Sequence, residues 1–596
     1  MRDYLKFKLL GTLALFLVGC GGGSSDSSSL LSGENPSPTA TPTVPQPSAI
    51  PEPSIAPLPT VSPVTTPTPS AQPSPTPTST TSPPPVARTS IEAWKQFVRA
   101  KNSGEQLPFP DFSYAGFKQG EEAIPNPSWQ QFDVTDFGAK PNDNKDDLAS
   151  IKDTIAAAQK ADGAIVFFPK GRYLLSEQDD IYDSLINING SKLILRGEGS
   201  GVGGTELFFR EHLLSRTPEK MWTTPPMISI NGSTSSSSGN KITNITRNAK
   251  IGDFHITVAN ASALRADDNI IINLKDPKAA TDDALQPYKV EDNWTEFKEG
   301  EFSREFHKIK SISGNTITLT MPLAMNISKD YNWELRKITL GNNFGIENIA
   351  FVGNWKEKFQ HHKSIIHDSA WTAIRINKYE NSWLKDIRFK DWNQTLSINA
   401  SHSFSVINSL EEGNRGHQSI LVQNSYGVLV THSHDKIDTG MHHAFGVASR
   451  AAATVFHRSS WPKETTFDSH ASFPHATLFD RIDGGFSGAS GGHGGSDKSQ
   501  PNHMHDLVFW NFKDLGNNDG ITRDWWRTDS IYSRFLEIKM IGWHGARANF
   551  IDPQLARNDS YGRDVNPESL YEAQLELRLG KLPNWLNQLN KEAKEK

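Results

Sequence analysis

The sequence predicts an all-β solenoid: short strands wound into stacked coils, carrying a small β insertion and covered in places by helices. Three observations carry this. Short apolar strands recur through the second half, as GIENIAFVG from 345, SWLKDIRFKDW from 382, SFSVINSL from 403, SYGVLVTH from 425, ATLFDRIDGG from 476 and HDLVFWNF from 505. Polar stretches, mostly of about 20 to 35 residues, separate them, so each coil buries its strands only by stacking on neighbours. Residues 240–340 interrupt this rhythm with two alternating segments, GDFHITVANASALRADDNIIINL (252–274) and IKSISGNTITLTMPL (309–323), around a polar loop. That pattern is a small β insertion. Finally, the composition changes near Thr89, and only the residues after it can build a core.

The first 88 residues form two segments. Arg2, Lys6 and Lys8 precede an apolar run, Leu9 to Val18, too short to span a membrane. The run ends Leu17-Val18-Gly19-Cys20, which resembles a bacterial lipobox, so residues 1–20 are expected to be a lipoprotein signal peptide with Cys20 lipidated. Cys20 is the only cysteine, which rules out a disulfide within the chain. Residues 21–88 are Gly/Ser-rich, then Pro/Thr/Ser-rich, and 18 of the 36 prolines lie between Pro36 and Pro85. Such a disordered linker extends as polyproline II at about 3.1 Å per residue, a reach on the order of 150 Å. The expected location is the bacterial cell envelope, lipid-anchored. The net charge of −6 and the lack of a long basic run argue against nucleic acid as a partner. A monomer is expected.

Residues 89–596 are the body. Ser90 to Lys101 reads as an amphipathic helix with Ser90 as N-cap, and LPFPDFSYAGFKQGE (107–121) as an extended wrap. In FDVTDFGAKPNDNKDDLASIKDTIAAAQKADGAIVFFPKGRYLL (132–175), a strand and turn lead into a helix capped by Asp147, then into the buried strand AIVFFP. This segment, with KLILRGEGSGVGGTELFF (192–209), resembles the start of the pectate-lyase-like superfamily of right-handed parallel β-helices. The resemblance implies that fold, with the helix as a cap on the solenoid. For activity it spans lyases, hydrolases, epimerases and phage tailspikes. The ending PESLYEAQLELRLGKLPNWLNQLNKEAKEK (567–596) reads as a second helical cap, for the open end. Together with YAGF and the histidine-rich coils it resembles a group of bacterial β-helix proteins presumed to act on polysaccharides.

The chemistry is concentrated between His417 and His505, where 11 of the 19 histidines fall. In a parallel stack, residues just outside successive strands line up, so His417, His434, His443, His470 and His475 can form a row. For β-elimination on a uronate, Arg450 and Arg481 would neutralise the carboxylate, and His443, His470 or His475 would be the base. For hydrolysis, two of Asp468, Asp480 and Asp483 would have to face one scissile bond. The candidate catalytic set is therefore His443, His470, His475, Arg450, Arg481 and Asp468. His417, His434, Asp480, Asp483, Trp525 and Trp526 are the candidate substrate-binding set, since one member of an adjacent Trp pair on a strand must face outward. Trp461, Trp510 and Trp543 are further aromatics able to stack on sugars. A histidine metal site is conceivable, but the stretch holds no H-x-x-x-H, H-E-x-x-H or cysteine-based metal spacing to indicate one; calcium on Asp and backbone oxygens also stays open. The expected function is a polysaccharide-degrading enzyme, a lyase on a uronate polymer ahead of a glycoside hydrolase or C5-epimerase. The non-enzymatic alternative is a carbohydrate-binding lipoprotein.

Overall fold

The computed structural model describes residues 90–595 apart from 282, 487, 489–490, 517–519 and 531–532. Cys20, the signal peptide and the 21–88 linker lie outside the described residues. The body is a parallel β-helix. Among the described residues its coils build a 17-stranded sheet and an eight-stranded sheet. In the larger one Tyr426–Thr431 pairs in parallel with Ala452–His457, then His475–Asp480, then Leu507–Trp510. Alternate residues point inward, so Phe456, Phe479 and Phe509 stack as a ladder with ring centroids 4.9 and 5.3 Å apart. The eight-stranded sheet stacks Ile228 on Ile374 and Leu396 on Ile420 inside the same core. Asparagines at the coil corners form a second ladder: Asn424 donates to Asn399, Asn399 to Asn377 and Asn377 to Asn231, at 3.1–3.2 Å.

The insertion is a six-stranded antiparallel sheet between Asn240 and Ile338. Its own core of Ile256, Ile270, Trp294, Phe297 and Leu335 continues onto Phe473, Met504 and Leu536 of the coils. At the N-terminal end the helix Leu148–Ala158 packs Ile151 and Ile155 onto the first coils. Asp147 precedes it without capping it. Its carboxylate accepts instead from the backbone N–H of Lys140 and Leu174. The first helix, Glu92–Ser103, begins two residues after Ser90, and Ser90 does not cap it; the cap position is Ile91.

The C-terminal helices do not close the open end of the solenoid. Leu570–Leu579 and Asn584–Glu595 lie with the first helix and the 107–121 wrap against the outer face of the large sheet. The reason is the alternation itself: Leu429, Val455, Leu478 and Val508 point outward and are apolar, so that flank must be covered.

One pair of neighbouring carboxyls is buried within the coils. Glu411 and Asp435 are register partners on neighbouring strands, and Glu411 accepts from Ser419 and Thr395. Burial and the Asp435 charge raise Glu411, and burial raises Asp435. The folded state therefore holds protons that the unfolded chain releases at about pH 4–5. That contribution is complete below the unfolded value and is lost as pH rises through the folded ones, so stability declines toward neutral and alkaline pH. Glu411→Gln is expected to flatten this decline in melting curves taken between about pH 5 and 8. An unchanged slope in the variant would show that the pair is not its source.

Candidate active site

The stacked coils bring histidines together at one edge of the eight-stranded sheet. His417 precedes the strand Gln418–Gln423, His443 bridges to Gln418 from the next coil, and Asp468 opens the strand after that. Backbone bonds hold this column: His417 N–H donates to the Asn393 carbonyl at 2.7 Å, and His443 N–H to the His417 carbonyl at 2.9 Å. His442 rides beside it, its N–H donating to the Gly416 carbonyl. Neighbouring coils are about 4.8 Å apart, so the imidazoles are forced into contact. Ring centroids lie 5.6 Å apart for His417 and His443, 4.4 Å for His442 and His443, and 6.4 Å for His443 and His470. The glycine-rich stretch has a definite use here: a Cβ at Gly494 would sit 2.3 Å from Cε1 of His470.

A loop from an earlier coil completes the cluster. Residues 353–364 lay Phe359, His361 and His362 over the column, with His361 centred 4.4 Å from His442 and 5.1 Å from His417. Two carboxylate–imidazole dyads flank it. Buried Asp468 accepts from His470 Nδ1 at 3.1 Å, and buried Asp368 accepts from half-exposed His362 Nδ1 at 2.6 Å. Burial opposes ionisation of both carboxyls, but the donors around them win, and both sit below the usual carboxylate range. Burial also pushes His361 down to about 4, His443 to about 3 and His442 to about 2, helped by neighbouring imidazoles. His361, His417, His442 and His443 are thus held toward the neutral imidazole form, a lone-pair donor.

The other residues singled out from sequence lie elsewhere. His475 faces the insertion, with Nε2 3.6 Å from buried Glu305, which His307 also contacts at 3.0 Å. Arg450 donates to the Glu301 carbonyl and lies over Phe473, also at the insertion. Arg481 pairs with Glu568 at 3.3 Å beside the C-terminal helix. Asp480 is buried and caps that helix, accepting from Ser569 Oγ and from the N–H groups of Leu570 and Tyr571. His434 contacts Ser460, and Asp483 pairs with Lys513. Trp525 is core, packed on Phe486 and Phe535, while half-buried Trp526 stacks on Tyr288 of the insertion at 3.8 Å. Trp461, Trp510 and Trp543 are buried too. Of the predicted set, the structure joins His417, His443, Asp468 and His470.

His361, His362 and Asp368 were outside the stretch that the sequence emphasised. The available signal was a second adjacent-histidine pair, His361-His362, matching His442-His443. A separate cavity of about 840 Å³ lies between insertion and coils, lined by Leu107, Phe302, Trp333, Met504, His505 and Glu537 among others. His475 is on its wall, so the row expected from sequence is divided between two places.

Residues 440–589 match a family model described as a domain of unknown function, DUF4955, and residues 131–212 match one described as rhamnogalacturonase A/epimerase, pectate lyase-like. Alginate lyase 7 of Azotobacter vinelandii is 37% identical over 75 residues, 13% of this chain. The match spans 8% of that relative's length. Among solved structures, the tailspike protein gp49 of Pseudomonas phage LKA1 aligns over 72% of this chain and 76% of its own, at 12% identity and TM-score 0.38. DFA-IIIase of Arthrobacter chlorophenolicus A6 aligns over 76% and 89%, at 12% identity and TM-score 0.30. The chain is a parallel β-helix whose first coils are pectate-lyase-like in sequence.

Proposed function

We propose that this protein degrades a uronate-containing polysaccharide by β-elimination at the histidine cluster. The observation that supports this best is the Asp368–His362 dyad, in which a buried carboxylate orients a half-exposed imidazole. Asp368 accepts at Nδ1, which fixes the proton there and leaves Nε2 as the basic nitrogen. In elimination that nitrogen takes the C5 proton of the uronate, the C4–O bond breaks with its electron pair on the leaving oxygen, which picks up a proton from water to become the hydroxyl of the new end, and a C4–C5 double bond remains in the other product. The same loop carries exposed Lys356, Lys358 and Lys363, of which Lys363 pairs with Glu357 at 3.7 Å, and half-buried Arg415 lies close enough to disfavour protonation of His442. That local positive rim suits an anionic polymer on a chain of net charge −6. Hydrolysis finds less support, because Asp468, Asp480 and Asp483 are committed to different partners rather than facing one another.

The test is incubation of the purified protein with pectic, alginate, glucuronan and sulfated algal polymers. New ultraviolet absorbance from an unsaturated uronate, growing with new reducing ends, is the expected result. Reducing ends without that absorbance would make the protein a hydrolase. Binding with neither product would leave a carbohydrate-binding protein or an epimerase.

A further inference from the structure

Three imidazoles that converge at the head of the cluster point to a different kind of ligand. We infer that His361, His417 and His443 bind one divalent transition-metal ion of the zinc type. The inference rests on side-chain geometry and does not depend on the reaction proposed above.

One ligand atom from each of these three side chains lies within 4.8 Å of the other two. Nitrogens held about 2.1 Å from a tetrahedral ion are about 3.4 Å apart, so closure needs movements of about an ångström. His361 is exposed on its loop and can supply them, while His417 and His443 are buried and fixed by the coil backbone.

The hydrogen bonding around His417 shows which nitrogen is available. Its Nδ1 lies 3.3 Å from the backbone carbonyl of Asp368. A carbonyl only accepts, so the proton is on Nδ1 and Nε2 carries a lone pair. That Nε2 is buried and has no hydrogen-bond partner. A buried nitrogen acceptor without a donor costs about 1–3 kcal/mol unless something electrophilic meets it. His443 Nδ1 is likewise buried without a hydrogen-bond partner, 4.0 Å from Asp468 Oδ1, which has none either. A carbonyl behind His417 is the kind of outer contact that orients a metal-bound histidine and raises its basicity.

The donor set selects the class of ion. Three imidazoles with no carboxylate oxygen among them suit zinc, copper, nickel or cobalt and disfavour calcium and magnesium, which need oxygen ligands. Asp368 and Asp468, the nearest carboxylates, are held by His362 and His470. The calcium left open by the sequence therefore has no cage in this cluster. A three-protein-ligand site also leaves a coordination position open. His442, centred 4.4 Å from both His361 and His443, borders it.

The test is metal binding by protein free of any histidine tag. After chelation and dialysis the protein is titrated with Zn²⁺ and, separately, with Co²⁺. The expected result is one equivalent bound, visible d–d absorption from the Co²⁺ form, and a melting temperature that rises with metal concentration. His361→Ala, at an exposed loop position, should weaken binding at least 100-fold with an unchanged far-ultraviolet spectrum. His417→Gln should do the same where it folds. Binding of less than a tenth of an equivalent would overturn the inference, as would binding of equal affinity in His361→Ala. Neither readout uses a polysaccharide, so lack of lyase activity alone would leave the metal site standing.

Discussion

His362→Ala is expected to lower turnover on the polymer about 10²–10⁴-fold, the usual contribution of a positioned proton-transfer group. Polymer affinity should change much less, because a base acts mainly in the transition state. Asp368→Asn should reduce kcat with little change in KM, since its oxygen sets the His362 tautomer without reaching substrate. His470→Ala should cost less than His362→Ala, because His470 is buried, whereas His362 is half-exposed. His475→Ala should act on the seam with the insertion, through the loss of its contact with Glu305, and leave turnover near the parental rate. Steady-state kinetics with equilibrium binding on the same preparations separates these outcomes. A His362→Ala enzyme with parental turnover would remove the proposed base. A dead His475→Ala enzyme that folds normally would move the reaction to the cavity beside the insertion.

Asp480→Ala should loosen the C-terminal helix. The buried carboxylate takes one hydroxyl and two backbone N–H groups at the start of Leu570–Leu579. Burial raises its pKa, which offsets part of the benefit of the charge, so the net loss is expected to be about 2–3 kcal/mol. Solenoids open locally, so hydrogen exchange is a better measure than a single melting point. Amides in 570–579 should exchange about 30- to 150-fold faster in the variant, which is that free energy converted at 1.36 kcal/mol per decade. Unchanged exchange together with lost polymer binding would return Asp480 to the substrate-binding role that its sequence position suggested.

These contrasts show how far the sequence could be read. The coil strands were legible because each repeats an apolar pattern between polar turns, and the insertion because its alternation differs from theirs. The eight-stranded sheet was less visible: strands such as Thr372–Asn377 and Gln394–Asn399 mix Arg, Ser and Asn with their inward isoleucines and leucines. Of the row His417, His434, His443, His470 and His475 that histidine density suggested, stacking brings His417, His443 and His470 together, with Asp468 beside them. Histidine density could not separate them from His475, because the two sheets of a coil face different surroundings and only one meets the insertion. Asp480 and Trp525 were attractive as isolated residue types, yet one is a helix cap and the other fills the core. His361 and His362 reach the site through a loop, and loop geometry leaves no period in the sequence.

The most direct test of the central claim, that the histidine cluster is the reaction centre, is a crystal structure of the inactive His362→Ala protein with an oligouronate bound. The account predicts sugar density along the rim formed by His361, His442 and the 353–364 loop, with a uronate C5 near the position vacated by the His362 ring. Density confined to the cavity lined by His505 and Glu537, with the cluster bare, would contradict it.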